Sequence, residues 1–260
     1  MLQIDGSRLW GTIMEMAKIG GTQDGGVCRL AFTELDRLAR NQFAGWARMD
    51  GFEVAVDRAG NLFIRRPGTR NDLPPVLIGS HLDTQPTGGK FDGIYGVLAG
   101  LEVLRSLNAA GVRTLRPVEV VDWTAEEGVT FKPMLGSRIF TGALPLDEAY
   151  SLTDPDGRTL KESLEAIQYL GDRPFFPANV HAYFELHIEQ GPVLEHQGRQ
   201  IGAVTGAVGQ RWYDLVIRGQ ETHAGPCPMS LRRDALMGAA EIALLARQIA
   251  SADSDGRATV

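Results

Sequence analysis

Two short apolar runs constrain this chain most: Pro75-Val76-Leu77-Ile78-Gly79 and Val118-Glu119-Val120-Val121-Asp122-Trp123. Runs of that length and composition belong in the middle of a sheet buried on both faces. Between them Ile94, Val97, Leu98, Leu101, Leu104 and Leu107 recur at helical spacing, and Gly111 ends the pattern. Strand, helix and strand joined by short loops make a βαβ unit, which implies an α/β fold with a mostly parallel sheet. Ligands in such sheets lie beyond the carboxyl ends of the strands, so chemistry is expected after Gly79 and after Trp123.

The flanking segments fill out that frame. Helical periodicity runs through Leu9, Ile13, Met16 and Ala17, then through Leu30, Leu35, Leu38, Phe43 and Trp46 up to Gly51. Phe52 to Val56 alternates and apolar Leu62 to Ile64 follows after Asp57-Arg58-Ala59-Gly60-Asn61, which reads as a β-hairpin. A helix is expected over Leu160 to Tyr169 and a strand over Ala182 to Ile188. Past the small-residue stretch Gly202 to Gly209, a strand is expected over Arg211 to Arg218 and a helix over Leu231 to Ala250. One strand and one helix cannot cover each other's apolar faces, so this last segment is expected to be part of something larger, most simply of a longer polypeptide. The expected division is 1–207 for the first domain and 208–260 for the start of a second.

Composition removes several function classes. Lys and Arg number 26 against 32 Asp and Glu, a net charge of −6, and aromatic residues make up 7%. A phosphate backbone needs a basic face and base stacking needs aromatic platforms, so no nucleic-acid partner is expected. No run approaches the roughly 18 apolar residues of a membrane span, and acidic Asp5 and Glu15 interrupt the first segment, so a cytoplasmic protein with no membrane partner is expected. Cys28 and Cys227 stand in no metal-type spacing.

The chemistry-bearing residues fall where the sheet puts them. Ser80-His81-Leu82-Asp83-Thr84 follows the first core run; positions two apart share a side, so His81 and Asp83 project together, either as a metal ligand with its orienting carboxylate or as a surface hydrogen bond. Asp92, in Gly88-Gly89-Lys90-Phe91-Asp92-Gly93, stands where the helix begins and can be an N-cap or a ligand. Thr124-Ala125-Glu126-Glu127-Gly128 ends the second run. Two adjacent carboxylates at the rim of a buried sheet repel each other and lose hydration; a cation relieves both costs, and a solvated acidic loop is the plainer alternative. Glu185, His187 and Glu189 alternate in Glu185-Leu186-His187-Ile188-Glu189-Gln190-Gly191. Two His among carboxylates suit zinc or another transition metal better than calcium. No phosphate loop, G-x-S-x-G elbow or H-E-x-x-H helix is present.

Taken in order, Ser80 to Thr84, Gly88 to Gly93, Ala125 to Gly128, Glu185 to Pro192, and Gly209-Gln210-Arg211 through Thr222-His223-Ala224-Gly225 resemble one family along nearly the whole chain. It is the zinc-dependent N-carbamoyl-amino-acid amidohydrolases, with the allantoate amidohydrolases, relatives of aminoacylases and dinuclear metallocarboxypeptidases. The resemblance implies a two-metal catalytic domain with an inserted, smaller α+β lid and dimerisation domain, both incomplete in this chain. His81 and Glu127 would be terminal ligands, one on each of two zinc ions (or Mn, Co or Ni), with Asp92 bridging both and His187 completing the shell of the first metal. Asp83 would orient His81, and Glu126 would be the general base that activates the attacking water. His223, in the lid, would stabilise the developing oxyanion across a homodimer, and Gln190 and Gln210 would position a small-molecule substrate. The implied reaction cleaves the carbamoyl C–N bond of N-carbamoyl amino acids, with allantoate or another N-acyl substrate as the alternative. Family members run well past this length, so a shortened homologue that binds metal or a partner without catalysis is the rival expectation.

Overall fold

The computed structural model describes residues 2–174, 179–253 and 258–260. The chain divides into two compact units, Met1–Gln190 and Gly191–Val260.

In the first unit, helices α1 (Gly6–Met16) and α2 (Glu34–Met49) precede strands β1 (Glu53–Val56), β2 (Leu62–Arg66) and β3 (Val76–Ser80). Helix α3 (Ile94–Ala109) then leads to β4 (Val118–Asp122), and three short helices, α4 (Leu135–Phe140), α5 (Leu146–Tyr150) and α6 (Leu160–Ala166), lead to β5 (Ala182–Phe184). The five strands lie in the order β1-β2-β4-β3-β5. The parallel β3–β4 pair joined through α3 is the βαβ unit that the apolar runs predict, and β5 adds to β3 in parallel. The sheet as a whole is mixed, because the β1–β2 hairpin joins β4 antiparallel through β2. Hydrophobic periodicity gives strand positions but no lateral order, which is why a mostly parallel sheet was the expectation.

Side chains alternate across the sheet. Leu62, Ile64, Val118 and Val120 face the helices and join Phe43, Leu98 and Leu101 in the main core; Phe63, Leu77, Val121 and Trp123 form a smaller cluster on the other face. Each Leu or Ile buried in this way stabilises the fold by roughly 1.5–3 kcal/mol. The helix starts follow from capping: Thr33 caps α2 and Thr159 opens a reciprocal capping box with Glu162 at α6.

Two strand expectations are corrected. The segment after Phe184 leaves the ladder instead of continuing to Ile188, and the Leu186 carbonyl lies against Gly96 of α3. In the second unit, residues 211–218 carry no regular structure; a strand needs a neighbour to satisfy its ladder, and among the described residues of this unit there is none. That unit holds the short helix α7 (Val193–His196) and α8 (Ala235–Ser251), which begins at Asp234 because that carboxylate accepts the N–H groups of Leu236 and Met237. No described helix is long and apolar enough to cross a membrane.

Candidate metal centre

The loop after β3 is clamped through its backbone. Leu82 N–H donates to the buried Asp122 carboxylate at 2.8 Å, and Leu82 C=O accepts from the buried Arg29 guanidinium at 2.8 Å. Asp122 lies 3.3 Å from Arg40, whose Nε bonds Asp36 at 2.8 Å. These groups are all inaccessible to solvent, and the carboxylates keep Arg40 charged against the cost of its burial. Thr84 pairs with Arg29 in both directions, Thr84 N–H to Arg29 C=O and Arg29 N–H to Thr84 Oγ1. His81 and Asp83 are therefore presented from a rigid turn and are each only 2% exposed.

His81 Nδ1 lies 2.9 Å from the Asp83 carbonyl and 3.6 Å from its carboxylate. That contact leaves Nε2 free to face Glu126, at 3.7 Å, and Asp92, at 4.0 Å. Burial alone would depress the His81 pKa, but Asp83 and Glu126 outweigh it and raise it above the ordinary value. Burial raises the Asp83 carboxyl, with His81 opposing.

Asp92 does not cap helix α3. Gly93 occupies that position, with φ at 66° and no side-chain cap. A Cβ at Gly93 would lie inside the His81 imidazole, so a side chain there is excluded both by space and by backbone conformation. The Asp92 side chain points across to His187, whose Nε2 is 3.2 Å from Oδ1, while Oδ2 accepts from Gln190 Nε2 at 2.6 Å. Among the described residues, His81, Asp92 and His187 offer ligand atoms all within 4.8 Å of one another.

Glu126 and Glu127 stand beside this group. Both backbone N–H groups donate to the Asp83 carboxylate at 3.2 Å, which ties the second loop to the first. Burial raises the Glu126 pKa, opposed by His81 and reinforced by Asp83, Glu127 and Glu185. That moves it toward the range of a useful general base. Glu127 Oε2 accepts from Gln85 Nε2 at 2.8 Å.

The residues fit a divalent cation. Asp92 Oδ1 and Glu127 Oε1 are buried oxygens with no hydrogen-bond donor among the described residues, a costly state that a cation would relieve. Imidazole nitrogens and carboxylates are the donor set of borderline transition ions.

The first unit thus brings together His81, Asp83, Asp92, Glu126, Glu127, His187 and Gln190. Gln210 and His223 are carried on the second unit, where both are exposed and His223 Nδ1 accepts from Gly225 N–H at 3.0 Å. Several supporting residues escaped sequence reasoning. Gln85 holds Glu127; Arg29 and Asp122 hold Leu82; and Ser80 and Tyr183 both donate to Glu185, at 2.6 and 2.7 Å. A buried charge inside an apolar run, as at Asp122, was the available signal.

Comparison with known proteins agrees with the resemblance read from the motifs. An N-carbamoyl-L-amino-acid amidohydrolase of Rhizobium meliloti is 44% identical over 255 residues, covering 98% of this chain and 61% of that protein. An N-carbamoyl-L-amino acid amidohydrolase of Geobacillus stearothermophilus is 46% identical over 244 residues, 92% of this chain and 59% of that protein. The crystal structure of an amidase of the hydantoinase/carbamoylase family from Burkholderia multivorans superposes with a TM-score of 0.89 at 53% identity, over 95% of this chain and 61% of that one. The chain spans about three fifths of the length of the curated relatives it matches. The family model for peptidase family M20/M25/M40 matches residues 77–257, from β3 through helix α8, and with that match the chain belongs to peptidase family M20/M25/M40.

Proposed function

We propose that this chain carries most of the metal-binding half of a hydrolase that cleaves the carbamoyl C–N bond of N-carbamoyl amino acids. The observation that carries the reading is the meeting of His81, Asp92 and His187 beside the Asp83-tethered carboxylate pair, in a chain whose relatives bear that name.

His81, Asp92, His187 and Glu127 are the residues that would hold zinc. Zinc, when bound, supplies Lewis-acid polarisation and lowers the pKa of water. Glu126 is the base. It lies beside the ligand group without being tied into it, and its raised pKa lets it accept a proton from the attacking water and return it to the departing amino nitrogen. Attack at the carbamoyl carbon followed by C–N cleavage yields the free amino acid and carbamate, which breaks down to carbon dioxide and ammonia. Asp83 keeps the His81 ring in one orientation, through the Nδ1 contact to its own carbonyl and the charge of its carboxylate. Gln190, bonded to Asp92, would position the substrate through its amide.

In the second unit, His223 would stabilise the developing oxyanion and Gln210 would position substrate, and the exposed apolar residues Trp212, Val216 and Leu236 offer a pairing surface for a homodimer. The unit would be the lid and dimerisation domain of the whole protein. Free Cys28 and Cys227 accord with a reducing cytoplasm.

The test uses the protein purified as its own cells make it, assayed for free amino acid released from N-carbamoyl-L-amino acids, N-carbamoyl-β-alanine, allantoate and N-acetyl amino acids. Expected is zinc-dependent release from N-carbamoyl amino acids that falls about 10²–10⁴-fold in Glu126→Gln. Zinc-loaded protein that leaves every N-carbamoyl substrate intact would overturn the reading.

A further inference from the structure

We propose that Asn61, in the turn between β1 and β2, is a positioning residue that fixes the loop carrying Glu126 and Glu127. The proposal rests on the reading of those two carboxylates given above.

Hairpin turns ordinarily lie at the surface. This one is buried apart from the exposed Arg58: Asp57 and Asn61 are fully inaccessible and Ala59 is 1% exposed. Asp57 Oδ1 accepts the N–H groups of Ala59 and Asn61 at 2.8 and 2.9 Å, and Oδ2 accepts from Asn61 Nδ2 at 2.9 Å. A carboxylate can only accept here, so it sets which way the Asn61 amide faces. The Asn61 oxygen is thereby aimed at Thr124 N–H, 3.0 Å away, and Nδ2 also reaches the Gly136 carbonyl at 3.2 Å.

Thr124 is the residue from which the loop departs. Ala125 follows with φ at 51°, a left-handed conformation that costs a non-glycine residue roughly 1–2 kcal/mol and must be imposed by its surroundings. The surroundings are on both sides. Gly136, Leu135 and Met134 donate in turn to the carbonyls of Thr124, Ala125 and Glu126, at 2.9, 3.3 and 2.8 Å. A Cβ at Gly136 would collide with Asn61 Oδ1, so the amide is wedged between the loop and the start of α4. Asn61 thus pins the near end of the segment whose far end Asp83 holds. Removing the amide strands Thr124 N–H and frees Ala125 to leave its left-handed conformation, which turns Glu126 and Glu127 away from His81.

The experiment compares Asn61→Ala with Asn41→Ala, which removes the unrelated acceptor of the Tyr169 hydroxyl in the same unit. Amide hydrogen exchange is followed at Thr124, Glu126 and Glu127 and at core amides of α3, alongside zinc affinity by chelator competition. The expected result is exchange in the 124–127 loop about tenfold faster in Asn61→Ala, beyond any change in α3, with zinc binding about tenfold weaker. Asn41→Ala should move neither. Should Asn61→Ala not fold, Asn61→Ser, which keeps a shorter acceptor, carries the same comparison. Loop exchange that rises no more than α3 exchange, or that rises equally in Asn41→Ala, overturns the proposal. If wild-type chain fails to bind zinc, the metal reading falls, and the exchange comparison still decides the role of Asn61.

Discussion

Asp83 Oδ2 accepts the backbone N–H of Glu127 at 3.2 Å, so the residue that contacts His81 Nδ1 on one loop also fixes where the carboxylate pair begins on the next. Replacing Asp83 by Ala would leave the half-buried Glu126 and Glu127 N–H groups without their acceptor and remove the carboxylate 3.6 Å from His81 Nδ1, while the backbone carbonyl contact to that ring stays. The expected cost is about 2–4 kcal/mol in urea unfolding, with zinc affinity lower by about 10–100-fold. Urea unfolding and a zinc titration on the same samples check both. Unchanged zinc affinity would mean that Asp83 does not orient His81.

Gly93 is predicted to be among the least replaceable residues of the ligand loop. Gly93→Ala meets both a positive φ and the His81 ring, and should destabilise by about 1–3 kcal/mol and displace Asp92 or His81 enough to abolish tight zinc binding. Gly89→Ala, four residues away with open space around it, should be silent in both respects. Equal behaviour of the two variants in thermal melts and zinc titration would contradict the close packing of His81 on Gly93.

Asp57 makes stability depend on pH. Burial pushes its carboxyl from the ordinary 3.8 up to about 6, although Asn61 and Ala59 donate to it. An acid whose pKa is higher in the folded state holds its proton more tightly there, so this contribution falls as pH rises from about 4 to about 6 and is level above that. Across that window wild type should lose up to about 3 kcal/mol relative to Asp57→Asn, at about 1.4 kcal/mol for each pKa unit. Urea unfolding of the metal-free chains at pH 4, 5, 6 and 7 gives the comparison. Parallel curves would show that Asp57 titrates near its ordinary value in the fold.

Much of the site lay open in the sequence because its residues sit at the ends of locally recognisable elements. His81, Asp83, Glu126 and Glu127 follow the two apolar runs, and Asp92 precedes a periodic helix, so each position was legible from short-range pattern. What holds them was not. Asn61 reads as an ordinary turn residue, and nothing in a window of that size shows that β2 pairs with β4 and carries the turn under Thr124. Arg29 lies 53 residues from Leu82, which it clamps, and a contact at that separation leaves no periodic trace. Residues 211–218 show the opposite failure: they read as a strand, but a strand exists only with a neighbour.

The most direct test of the central claim is calorimetric titration of zinc into the metal-free chain, wild type beside His187→Ala. The His81, Asp92 and His187 centre predicts at least one tight site in the wild type, weakened by about 100-fold or more when the imbalance of a lost imidazole leaves two ligands. Zinc bound equally well by both proteins, or by neither, would contradict a metal centre at this place in the fold.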